Sequence, residues 1–157
     1  MSLVSPKVYI GDVYQASDLS WLKSAGITHI VNMAVELPTY FPKKFYYYRA
    51  NAEDNESQSL EDILREGYRF MIHGEHHGGN ILVHCYAGIS RSSSMVLYYL
   101  MRKFRISLVR AFQHLKTLHP RTRPNPGFWR QLKELEPRKS SLSSKSSSNF
   151  KSFKQGF

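Results

Sequence analysis

Among the side chains able to attack an electrophile, one sulfur stands out. Cys85 is the single cysteine in 157 residues, within His84-Cys85-Tyr86-Ala87-Gly88-Ile89-Ser90-Arg91-Ser92. A lone cysteine is most often a small buried apolar residue, but the residues that follow this one suggest chemistry. Gly88 permits a backbone turn that other residues resist. Arg91 can grip two phosphate oxygens with one planar fork. Ser92 brings a hydroxyl near the sulfur. If a strand ends at Cys85 and a helix begins near Arg91, the loop between them aims backbone N–H groups at one anion, and the helix N-terminus adds positive potential. Such an environment also favours a thiolate over a thiol. The segment can therefore bind a phosphoryl group and attack it with sulfur.

Expelling an alkoxide or phenoxide from phosphorus requires a proton donor. Glu53, Asp54 and Glu56 cluster in Ala52-Glu53-Asp54-Asn55-Glu56-Ser57, and each is a candidate if that loop faces the sulfur. His84 is a supporting residue, able to brace the loop by hydrogen bonding. His73, Glu75, His76 and His77 match neither common zinc-helix spacing, and Gly74, Gly78 and Gly79 suggest a surface turn, so no metal site is expected there. The reaction outlined needs no metal and no cofactor.

These groups must be carried by regular elements. Lys7–Ile10, Ile27–Asn32, Phe45–Tyr48 and Ile81–Val83 have the β-branched and aromatic content of strands. Ser17 is placed to cap a short helix carrying Leu19, Trp21 and Leu22, and Ser59 to cap one carrying Leu60, Leu64, Tyr68 and Met71. The apolar run Met95–Met101 predicts a core helix. Ser107 is placed to cap the next, with Leu108, Val109, Phe112, Leu115 and Leu118 inward. A last helix carries Phe128, Trp129, Leu132 and Leu135. Strands alternating with helices predict an α/β fold: a central, mostly parallel sheet flanked by helices, with the phosphate loop between a strand and a helix N-terminus.

The stretch Val83–Ser92 resembles the His-Cys-x5-Arg-Ser/Thr signature of the dual-specificity phosphatases. The likeness extends over most of residues 5–136 and includes Asn125-Pro126-Gly127-Phe128 followed by Gln131-Leu132. The resemblance implies a nucleophilic Cys85, with Arg91 and the backbone of Tyr86, Ala87, Gly88, Ile89 and Ser90 binding phosphate. It implies that Ser92 aids breakdown of the intermediate. It singles out Asp54 as the general acid and Asn125 as a brace of the loop, against the plainer role of a helix cap for Asn125. It also implies a protein phosphatase acting on phosphotyrosine and phosphoserine/phosphothreonine. RNA 5′-triphosphate ends or phosphoinositides would suit the same chemistry, and a catalytically weak phospho-binding module is the alternative that is not an enzyme.

Composition sets outer bounds. A 41% hydrophobic, 22% charged chain of this length supports one folded domain, expected over residues 1–137. Residues 138–157 hold eight serines and five of the chain's basic residues with no acid, which predicts a disordered basic tail. Nucleic acid or anionic lipid is the partner class that charge would attract. Phosphoprotein substrates, protein kinases among them, are the partners the resemblance implies. With no signal-like segment in Met1–Pro6, an intracellular location, cytoplasmic or nuclear, is expected.

The single sulfur also constrains redox behaviour. An oxidised Cys85 has no second cysteine in this chain to form a disulfide with. Peroxide is expected to abolish activity, and intact mass spectrometry should detect oxidised Cys85 without an intramolecular disulfide.

Overall fold

A computed structural model describes residues 2–138; the expected tail, apart from Arg138, lies outside the described residues. The strands are β1 (Ser2–Ser5), β2 (Val8–Gly11), β3 (Ile27–Ala34), β4 (Tyr46–Ala52) and β5 (Asn80–His84). They form one sheet in the order β1-β2-β5-β3-β4. β1 pairs antiparallel with β2, and every other pairing is parallel. This is the mostly parallel α/β sheet expected from the alternating elements.

Both faces of the sheet are covered, as parallel sheets require. Successive side chains of a strand point to opposite faces, and the core divides accordingly. Ile30 and Leu82 pack with Leu22 beneath α1 (Val13–Ala16) and α2 (Leu19–Ser24). Val31, Ile81 and Val83 face the larger cluster under α3 (Glu61–His76), α4 (Arg91–Phe104), α5 (Leu108–Leu118) and α6 (Pro126–Glu134). In α4 every residue except Arg102 and Lys103 is buried. Each large apolar side chain so buried contributes roughly 1.5–3 kcal/mol, and α4 is held rigidly from its first turn.

Several local expectations change. β1 was not predicted, because four residues with a serine at each end carry no readable alternation. It forms the sheet edge with Val4 fully buried. α1 was not predicted either; its four residues start from a reciprocal cap between Asp12 and Gln15. Asp18, not Ser17, caps α2, accepting from Trp21 N–H at 3.0 Å. Ser17 instead ends α1, its hydroxyl donating to Val13 O at 2.8 Å. Ser59 does not cap α3: Leu60 occupies that position, and its N–H donates to Gln131 Oε1 at 2.8 Å. Val109, expected inward, is 49% exposed, while His114 is buried and bonded to Val4 O at 2.9 Å.

The strand register explains how distant residues meet. Gly11 and Asn32 both lie level with His84, and Ala34 lies level with Ala52. The four parallel strands therefore end along one edge; Asp12 and Cys85 follow directly from those ends, and Glu36 and Asp54 are the second residues beyond them. Such an edge is where α/β proteins hold ligands.

Candidate active site

The 85–91 loop is shaped by what its carbonyls touch. Tyr86 O accepts from Val13 N–H at 3.0 Å, Ile89 O from Arg123 N–H at 2.9 Å, and Ser90 O from Ser94 N–H at 2.9 Å. Gly88 O lies 2.6 Å from His119 Nε2. All of these partners sit outside the loop. No peptide bond in the described residues is cis, and in a trans peptide the N–H points opposite to the C=O. The amides of Ala87, Ile89, Ser90 and Arg91 consequently turn inward, toward the space above Cys85. Gly88 makes the turn at φ +70°. A Cβ there would lie 3.0 Å from Gly11 O, so any other residue would be strained in conformation and crowded against that backbone.

Cys85 is 2% exposed, and its Sγ lies 3.2 Å from Ser92 Oγ. His84, next to it, is buried; burial pushes its pKa down to about 4. The neutral ring has its Nδ1 3.4 Å from Cys85 O, so that nitrogen carries the proton and braces the base of the loop.

Arg91 is 5% exposed. Its two terminal nitrogens each meet a Glu36 carboxylate oxygen at 2.6 Å, and Nη1 also donates to Ala52 O at 2.9 Å. Burial alone would weaken the charge on Arg91. The hydrogen bonds and charge of Glu36 outweigh it, and the guanidinium is held above its ordinary pKa. The same bonds hold Glu36 below the ordinary carboxylate range. Nε of Arg91 remains buried without a partner among the described residues. A buried N–H on a charged group lacks an acceptor that an anion would supply.

The carboxylate loop rests on α6. Asn125 Oδ1 caps that helix, accepting from Phe128 N–H at 2.9 Å. Its Nδ2 donates to Asp54 Oδ1 at 3.0 Å, and its backbone N–H donates to Ser90 Oγ at 3.0 Å. Asn125 is thus a helix cap, a brace of the phosphate loop and the partner of Asp54 together. Gln131 grips the other end of the carboxylate loop, donating to Gln58 O at 2.8 Å while accepting from Leu60. Gly127 lies so close that a Cβ would meet Glu56 O at 2.1 Å. The Glu53 carboxylate accepts from Asn55 Nδ2 at 2.9 Å, and its N–H donates to Gln58 Oε1 at 3.0 Å.

The candidate residues Cys85, Arg91, Ser92, His84, Asn125 and Asp54 therefore converge at one edge. Glu36 and His119 were missed. Glu36 follows a strand end, the one signal available; His119, between a helix and Pro120, has none. The histidines of α3 go elsewhere. His73 and His77 stack at 4.1 Å beside His29 and Phe70, and Glu75 is bound to Tyr99 and Lys103. No group of three such side chains among the described residues is placed to hold a metal.

Fold and loop together define an α/β domain with a backbone loop and a buried cysteine at the ends of its parallel strands. The family model for the dual specificity phosphatase catalytic domain matches residues 8–138. Dual specificity protein phosphatase 1 of Arabidopsis thaliana is 40% identical over 135 residues, covering 86% of this chain and 68% of that protein. Protein phosphatase Slingshot homolog 3 of Homo sapiens is 40% identical over 131 residues, 83% of this chain. The chain spans about a fifth of that longer relative. The crystal structure of human DUSP28 superposes with a TM-score of 0.82 at 32% identity, over 85% of this chain and 94% of that one. The chain belongs to the dual specificity phosphatase catalytic-domain family. No helix among the described residues is long and apolar enough to cross a membrane.

Two outcomes follow from this geometry. Gly127→Ala drives a methyl group into the Glu56 backbone and should cost about 1–3 kcal/mol; thermal melts, with faster hydrogen exchange over residues 53–58, check it. His84 makes stability depend on pH. Its folded pKa, about 4, lies below the unfolded value of about 6.5, so between these the unfolded chain binds the extra proton. The stabilisation is complete above about pH 6.5 and is lost as pH falls toward 4, by roughly 3 kcal/mol at most. Urea unfolding at pH 7.5 and 5 should give a smaller difference for His84→Asn than for the wild type.

Proposed function

We propose that this domain hydrolyses phosphotyrosine and phosphoserine/phosphothreonine in proteins through a phosphocysteine intermediate. The observation that carries the proposal is the loop above Cys85. Its carbonyls are bonded outward, so its amides surround the position a phosphoryl group would take over the sulfur.

In the first step the Cys85 thiolate attacks phosphorus in line. The S–P bond forms as the P–O bond to the side chain breaks, and Asp54 gives its proton to the departing oxygen. In the second step Asp54, now ionised, takes a proton from water as that water attacks phosphorus. The S–P bond breaks, inorganic phosphate leaves, and the thiolate returns. Arg91 and the amides of residues 86–91 stabilise the equatorial oxygens throughout, where charge is spread in the transition state. The Ser92 hydroxyl, 3.2 Å from Sγ, donates to the sulfur as it leaves phosphorus.

Asp54 is preferred to Glu53 on its surroundings. Asp54 is bonded to Asn125, which in turn bonds Ser90 of the loop, and its charge acts on Arg91. Glu53 is engaged with Asn55. Residues 86–90 contain no Lys or Arg, so they offer no charged grip for the further phosphates of an RNA 5′-triphosphate or a polyphosphoinositide.

Cys85→Ser is expected to lose turnover while still binding phosphopeptide; full activity in that variant would rule the mechanism out. Asp54→Asn should fall by about 10²–10⁴-fold on a phosphoserine peptide and much less on an activated aryl phosphate, whose leaving group needs no proton. If the dependence on leaving group is unchanged, the proton comes from Glu53 or another acid. Matched phosphotyrosine and phosphothreonine peptides test the dual specificity: a strict preference for tyrosine removes it.

A further inference from the structure

One strut of the phosphate loop comes from a buried side chain that the chemistry above does not use. His119 ends α5 and is 6% exposed. Its Nε2 lies 2.6 Å from Gly88 O. A carbonyl only accepts, so Nε2 carries the proton. Burial lowers the pKa of the ring, which keeps it in the neutral form with that one proton. On its other side Nδ1 lies 3.4 Å from Ser2 Oγ, and the same hydroxyl donates to Leu118 O at 2.8 Å. Ser2 of β1 thereby lies beside the unprotonated nitrogen of the ring.

The bond acts at the softest point of the loop. Gly88 has no Cβ to limit rotation of its peptide planes, and its carbonyl shares a plane with the Ile89 N–H. We propose that His119 is a positioning residue of the phosphate site: by holding the Gly88 carbonyl outward, it aims the Ile89 amide at the bound phosphoryl group. The proposal rests on the reading that this loop cradles the substrate phosphate. A cavity of about 180 Å³ borders His119, Gly88, Ala87 and Asp12. Water entering there can bond a freed carbonyl but cannot fix its direction.

The test compares wild type, His119→Leu and His119→Gln with inorganic phosphate as competitive inhibitor and an aryl phosphate as substrate. Leucine fills similar space without a donor; glutamine retains a terminal N–H. In His119→Leu the inhibition constant for phosphate and KM are expected to rise together by about tenfold. A loss of folded protein would instead lower kcat and leave both constants in place. His119→Gln should recover most of the affinity. Phosphate inhibition of His119→Leu within twofold of wild type, or no recovery in His119→Gln, overturns the role of His119. If phosphate fails to inhibit the wild type, the reading of the loop itself is overturned.

Discussion

The site depends on the rigidity of the peptide plane. A trans peptide cannot turn its N–H inward without turning its C=O outward, so an anion cradle made of backbone amides needs an equal set of acceptors satisfied behind it. In this chain that second set is supplied by four separate places: Val13 at the start of α1, His119 at the end of α5, Arg123 in the link to α6, and the first turn of α4. Val13, His119 and Arg123 act from behind the loop, while the first turn of α4 also brings Ser92 to the sulfur. Each decides where a donor above the sulfur points. Burying the carbonyls without partners would cost on the order of 1–3 kcal/mol apiece, so the outward bonds stabilise the fold and shape the site at once.

Charge is handled in a similar way. A guanidinium as buried as Arg91 is costly unless it is paired. Glu36 supplies that pairing in a two-pronged arrangement and leaves Nε for a ligand. The pair also joins the end of β3 to the start of α4. Asn32, fully buried in β3, prepares the bend that carries Glu36, accepting from Ala34 N–H at 2.9 Å and donating to Leu37 O at 3.1 Å. Glu36 is thus part of the support of the cradle and is held ionised by its partner.

Helix α6 unites the two halves of the chemistry. Through Asn125 it reaches both Ser90 of the phosphate loop and Asp54 of the carboxylate loop; through Gly127 and Gln131 it sets the height of the backbone between Asp54 and Leu60. The motif Asn125-Pro126-Gly127-Phe128, then Gln131-Leu132, has a physical meaning for each part. It comprises a cap with a second hydrogen bond to give, a missing side chain where two backbones meet, and an amide that clamps a loop. Phe128 and Leu132 anchor the same helix in the core.

Local spacing along the chain determined the main strands and helices, the loop that follows Cys85 and the short set of candidate carboxylates. Those features depend on neighbours within a few residues, where backbone geometry repeats. The choice among contacts between distant residues was decided only by the tertiary structure. A glutamine 71 positions away satisfies the start of α3 in place of Ser59. Asp18 caps α2, where its charge suits the helix N-terminus, because Ser17 is taken up in closing α1. Glu36 and His119 acquire their roles from strand ends and helix ends that become neighbours only when the sheet is assembled in the order β1-β2-β5-β3-β4. No local period records such a meeting, because it is set by the register and packing of the whole domain.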